Sequence, residues 1–165
     1  MIKQFIYDSQ KPGATEKMAC AYLKIFNHSE NKKYLTYTGL PIQKRQIKSW
    51  LKTHVEDGIE YYTWLNTAGE IKGIGLTSSN PVQGCEILGL GVAKDAQNKN
   101  IGLKLIKRIC DDAHAKGYKT INVKVFADNK RMLRLVIGQD FIPAKIKHRV
   151  RYDGCDLVIL NKYFS

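Results

Sequence analysis

What the sequence lacks is mainly the apparatus for metals, membranes and disulfides. Its four cysteines, Cys20, Cys85, Cys110 and Cys155, form no C-x-x-C pair, and its four histidines, His28, His54, His114 and His148, never stand at ligand spacing from one another. No metal site is therefore expected. The cysteines read as buried free thiols, with Cys110 on an apolar helix face. No apolar stretch approaches the length of a membrane span, and Met1-Ile2-Lys3-Gln4 opens no secretory signal. A cytoplasmic chain with no membrane partner is the expectation. No internal repeat or low-complexity segment interrupts the 165 residues, so one domain over 1–165 is expected, long enough to bury a full core.

Acidic residues are also outnumbered. Lysine and arginine total 27 against 15 aspartates and glutamates, a net charge of +12. Such a balance suits an anionic partner, whether nucleic acid, an acidic protein or a nucleotide cofactor. The positive residues are spread along the chain rather than gathered in a tail. They come with no zinc-finger spacing, heptad-linked basic region or aromatic RNA-binding signature, so nucleic acid is the minority reading.

What is present centres on Glu86 to Gly117. Glu86-Ile87-Leu88-Gly89-Leu90-Gly91-Val92 reads as a short strand, Ala93 to Ala96 as a turn, and Gln97-Asn98-Lys99-Asn100-Ile101-Gly102 as the opening of a helix. Ile101, Leu105, Ile106, Ile109, Cys110 and Ala113 recur at helical spacing, and Gly117 closes the helix. The first backbone N–H groups of a helix have no internal partner and sit at its positive end, where they attract an anion such as phosphate. Gly102 brings no side chain to block that approach. Asn100 tolerates a left-handed backbone, and Lys99 and Lys104 add charge. The residues suit a phosphate cradle; they equally suit a plain strand–loop–helix with a solvated lysine face.

Along the rest of the chain, Ile2 to Tyr7 reads as a strand and Asp8 to Gly13 as a loop. Met18, Tyr22, Ile25 and Phe26 mark a first helix from Thr15, and Ser29 to Lys33 a charged connector. A second helix takes Pro41 in its first turn and carries the stripe Ile47, Trp50, Leu51, His54 and Val55 through to Gly58. Glu60 to Leu65 and Ile71 to Ser78 form a hairpin about Asn66–Glu70, followed by a loop at Ser79-Asn80-Pro81. Thr120 to Phe126 alternates as a strand, and Asp128-Asn129 starts another helix. Phe141–Arg151 and Cys155–Asn161 close the chain as two strands joined at Tyr152-Asp153-Gly154.

Two motifs in this order resemble the GNAT acyltransferase superfamily. Leu90-Gly91-Val92, then Gln97-Asn98-Lys99-Asn100-Ile101-Gly102-Leu103, is similar to its acyl-CoA signature, a strand ending in valine and then Gln/Arg-x-x-Gly-x-Gly/Ala at a helix start. Asn100 stands in place of the first glycine. Further on, Asn129 and Phe141 match the ends of Asn-x-x-Ala-x-x-x-Tyr-x-x-x-Gly-Phe, with Met132 for the alanine, Val136 for the tyrosine and Asp140 for the glycine. Gly73 stands where the family often has a glycine in its third strand.

The resemblance implies an α/β (α+β) fold with a mixed, mostly antiparallel sheet flanked by helices, and acetyl-CoA as co-substrate. It implies that Leu90, Gly91 and Val92 pair with the pantetheine arm, and that the Gln97–Gly102 amides take the pyrophosphate. Lys99 and Lys104 would reach the other phosphates, and Asn129 would bond the arm near the thioester. Direct acetyl transfer to an amine needs a base, for which Glu86 at the start of the central strand is the candidate. Val136 cannot act as the family tyrosine that protonates the thiolate. The region of the first two helices shapes the acceptor pocket in the family, which singles out Tyr34, Tyr37 and Trp50, with core packing the favoured role for Trp50. Glu56, Asp57 and Glu60 form a small acidic cluster that would suit an acidic acceptor cleft and equally suits a solvated helix end. Homodimers are common in this fold. The alternatives are an acyl-CoA-binding module without turnover, favoured by Val136 and Asn100, and a basic nucleic-acid-binding domain, supported by charge alone.

Overall fold

The computed structural model describes residues 1–80 and 84–165. Seven strands among these residues, β1 (Ile2–Phe5), β2 (Ile59–Leu65), β3 (Ile71–Asn80), β4 (Gly84–Val92), β5 (Thr120–Phe126), β6 (Ile142–Lys147) and β7 (Leu157–Tyr163), form one sheet in the order β1-β2-β3-β4-β5-β7-β6. Every pairing is antiparallel except β4 with β5. Five helices flank it: α1 (Pro12–Phe26), α2 (Ser29–Leu35), α3 (Lys44–Thr53), α4 (Ile101–Ala115) and α5 (Lys130–Ile137). None is long and apolar enough to cross a membrane.

The sheet seats its helices through missing side chains. A Cβ on Gly73 would meet Ile101 Cγ2 at 2.8 Å, so α4 lies directly on β3 there. On the opposite face a Cβ on Gly91 would meet Ile25 Cγ2 at 2.7 Å, so α1 lies on β4. The apolar stripe of α4 is wholly inside: Leu105 and Ile106 have no exposed surface. Truncating either to alanine costs about 2–5 kcal/mol, the usual range for a buried aliphatic side chain.

Several local expectations are corrected. Ser29–Lys33 is no connector but the body of α2. It buries no residue fully, so it lacks the apolar stripe that betrays a helix, while Glu30 in its first turn and Lys32 and Lys33 in its last suit the helix dipole. Pro41 lies outside α3, which starts at Lys44 behind a Gln43–Gln46 capping box and ends at Thr53. Val55 is accordingly exposed. Pro12 opens α1, a residue type suited to a first turn, although Asp8–Gly13 reads as loop. Ser79 and Asn80 continue β3; Pro81 lies outside the described residues. β6 is shorter than expected, because Arg151, far from being a strand residue, is buried within the 148–156 connection, and β7 keeps its expected length but starts two residues later, at Leu157. All six residues of β6, at the sheet margin, are exposed.

Candidate active site

The β4 and β5 strands pair at only three positions, Cys85 with Ile121, Glu86 with Asn122 and Ile87 with Val123. Beyond Ile87 they part, and β4 runs on to Val92 with β3 alone beside it. At the parting point a bulge in the β3–β4 register leaves Leu88 unpaired, between Leu76↔Gly89 and Thr77↔Ile87. A bulge re-aims the backbone on either side of it, a frequent device beside functional sites. The gap opens into a cavity of about 1200 Å³ bounded by β4, the start of α4, α5 and the segment from α2 to Tyr37.

One end of the cavity is the entrance of α4. Asn100 is its N-cap with φ +57°, and Asn98 is also left-handed at +61°. Asparagine is one of the few side chains that adopt this backbone readily. The same holds for Asp140, at φ +64° where the second motif has glycine. Asn100 gives no side-chain hydrogen bond to the helix start. The first-turn amides of α4 thus keep their donors for something else. Gly102 faces Leu90, Val92 and Leu135, the nearest atom to a built Cβ being Leu135 Cδ2 at 3.4 Å.

The loop before α4 is fixed from three sides. Lys72 binds Asp95 at 2.7 Å, and Lys94 pairs with Glu30 of α2. Gln97 Nε2 donates to Val92 O at 3.5 Å, while its Oε1 accepts from Arg131 Nη1 at 2.9 Å. Asn31 Nδ2 also donates to Val92 O at 3.0 Å. The end of β4 is thereby tied to α2, to its own loop and, through Gln97, to α5.

At the other end of the cavity Glu86 meets Lys124, whose Nζ donates to the two carboxylate oxygens at 2.7 and 3.0 Å. Beyond them Tyr37 and Phe126 meet edge to face, with ring centroids 5.4 Å apart. The Arg151 guanidinium lies 4.8 Å over Phe126 and forms two-pronged bonds to both Asp128 and Asp153, at 2.8 to 3.1 Å. Its side chain is 1% exposed. The guanidinium holds the Asp128 carboxyl well below the usual carboxylate range. Lys33 adds a second cation to Asp128 at 2.7 Å.

Of the residues singled out in the sequence, Glu86, Leu90, Val92, Gln97, Asn98, Asn100, Ile101, Gly102, Leu103 and Asn129 all line this one cavity. Gly91 does not, since its free side faces α1. Lys99 turns back to Asp95 O at 3.0 Å, and Lys104 lines a separate shallow groove with Trp64 and Lys107. Asn129 caps α5 by accepting from Met132 N at 3.1 Å. Tyr34 and Tyr37 reach the cavity, whereas Trp50 stacks on His54 elsewhere. Glu60 pairs with Lys116 and accepts from Tyr62 away from the site. Sequence reasoning missed Lys124, Arg131, Arg134 and the Asp128–Arg151 pair. Only the alternation of β5 carried a signal, placing Lys124 on the face opposite Val123 and Val125. Among the described residues no group of three His, Cys, Asp or Glu side chains comes together to hold a metal.

A profile of the acetyltransferase (GNAT) family matches residues 19–137, well over half of the sequence. The chain belongs to this GNAT family. Its fold is shared by solved GNAT-type structures at low identity. An N-acetyltransferase from Staphylococcus aureus Mu50 is 20% identical, with a TM-score of 0.81 over 99% of this chain and 98% of that one. A ribosomal-protein-alanine N-acetyltransferase from Brucella melitensis is 17% identical, with a TM-score of 0.80 over 99% of each chain. A GNAT superfamily phosphinothricin acetyltransferase from Sinorhizobium meliloti, in complex with AcCoA, is 13% identical, with a TM-score of 0.81 over 99% of this chain and 89% of that one. A comparison with curated proteins found no match. The mixed, mostly antiparallel sheet and the flanking helices therefore stand as expected for a GNAT fold.

Proposed function

We propose that this GNAT protein is an acetyl-CoA-dependent N-acetyltransferase that passes acetyl directly to an amine. The observation that carries the reading is the continuity of one cavity from the uncapped α4 entrance to Glu86, along a β4 stretch that β5 has left. The first-turn amides and Gly102 suit a pyrophosphate. The backbone of Leu88–Val92 suits an arm that itself carries amide groups. Arg131 and Arg134, on the α5 wall, suit the remaining phosphate charge. Glu86, at the far end, would take the proton from an incoming ammonium so that the free amine attacks. Tyr34, Tyr37 and Phe126 give the acceptor end an aromatic wall.

A second reading is an acyl-CoA-binding module without turnover. Val136 supports it, because it stands at the family's tyrosine position and has no exposed surface. Calorimetric titration with acetyl-CoA, with ATP and CoA as comparators, followed by an assay of released thiol across a panel of amines, separates the two. Binding with thiol release supports the transferase, and binding without release supports the module. No binding removes both.

A further inference from the structure

The three lysines that reach the cavity stand in different settings. Lys33 lies against Asp128, and Lys130 is exposed at the start of α5. Lys124 is the first residue of β5 after Val123, where pairing with β4 stops, so its side chain leaves the sheet at the floor of the gap. Across the gap lies the bulged Leu88. From Val92 back to Leu88 is four residue steps, about 13 Å of strand. An arm anchored at α4 and laid along this stretch delivers its far end beside Leu88, where Lys124 and Glu86 meet. The Lys124 amine and a carboxylate able to take its proton are already 2.7 Å apart.

We propose that Lys124 is itself an acyl acceptor, so that the chain acetylates its own cavity wall when acetyl-CoA is bound and no external amine is present. This rests on the acetyl-CoA reading above. Glu86 takes one proton from the Lys124 ammonium, and the freed lone pair forms the N–C bond to the acyl carbon. The C–S bond breaks and its electron pair stays on sulfur. Of the two protons lost by Nζ, one ends on sulfur, giving the CoA thiol, and the other passes to solvent. The product is Nε-acetyl-Lys124. Its neutral amide no longer holds Glu86 by charge, so the first turnover frees the carboxylate for external amines.

The test is intact-mass spectrometry with peptide mapping, on the full chain incubated with acetyl-CoA and no added amine. The expected result is a gain of one acetyl group, confined to Lys124, suppressed by excess CoA and lost in K124R. S-acetyl-N-acetylcysteamine, a thioester without the nucleotide, should modify Lys124 no more than the exposed Lys3 and Lys52. Acetyl groups spread over exposed lysines without preference would overturn self-acylation and leave the transferase reading standing. So would an unmodified Lys124 in a protein that binds acetyl-CoA and acetylates other amines. Failure to bind acetyl-CoA by calorimetry overturns the transferase reading and self-acylation with it.

Discussion

Arg131 Nη1 donates to Gln97 Oε1 at 2.9 Å, a side-chain bridge between the loop before α4 and the second residue of α5. Both residues line the cavity, so the bridge links its two walls. A bound phosphate offers Arg131 a charged acceptor in place of a neutral amide, a stronger hydrogen bond. Removing the guanidinium should weaken acetyl-CoA binding roughly tenfold, about 1.4 kcal/mol, in R131M. It should also flatten the salt dependence of binding. Titrations at two ionic strengths check both effects, and equal slopes for mutant and parent would remove Arg131 from the phosphate site.

Gly102 offers a graded test of the α4 entrance. A methyl group there meets Leu135 at an ordinary contact distance, so G102A should bind acetyl-CoA and fold normally. G102E places bulk and negative charge against the first-turn amides and should abolish binding. Circular dichroism establishes that the variant is folded. Unchanged affinity in a folded G102E places the phosphates elsewhere.

E86Q keeps the shape of Glu86 and its contact with Lys124 but cannot take a proton. Turnover should fall by about 10²-fold or more, with acetyl-CoA affinity spared. The limb of the pH–rate profile that reports the base should disappear. A profile with that limb intact assigns proton removal to another group.

The Arg151 node predicts acid sensitivity. Because Arg151 depresses the pKa of Asp128 in the folded chain, the resulting stabilisation is complete above the unfolded carboxylate value, about 4. It is lost as pH falls from there towards the lower folded value. R151M should lower stability at neutral pH by about 2–3 kcal/mol, less than a fully buried pair because Asp128 is one-third exposed. It should also lose less further stability than the parent between pH 5 and pH 3. Denaturant titrations at both pH values measure the difference.

The central part of this architecture was legible in the sequence because its signals are local. The stripe Ile101–Ala113 fixes one face of α4, the alternation of β5 fixes its buried side, and the loop between β4 and α4 carries its own chemistry in Asn100 and Gly102. The missed features depend on distant partners. Arg151 is drawn inside by Asp128, and nothing within ten residues of Asp128 announces that meeting. Lys124 finds Glu86 only because two strands far apart in sequence run parallel for three residues before separating. The α2 helix escaped because a short helix with polar neighbours leaves no apolar period to read.

The exposed margin at β6 governs how the protein meets other chains. An uncovered strand edge is a template on which another strand can form hydrogen bonds. Here Pro143 supplies no N–H, and Lys145 and Lys147 set positive charge along the same rim. A second copy of so basic a chain, approaching edge to edge, loses a backbone bond and meets like charge. Lengthening of the sheet at this edge is therefore opposed. Whatever grips this margin must do so through side chains such as Ile142 and Ile146, not by adding a strand.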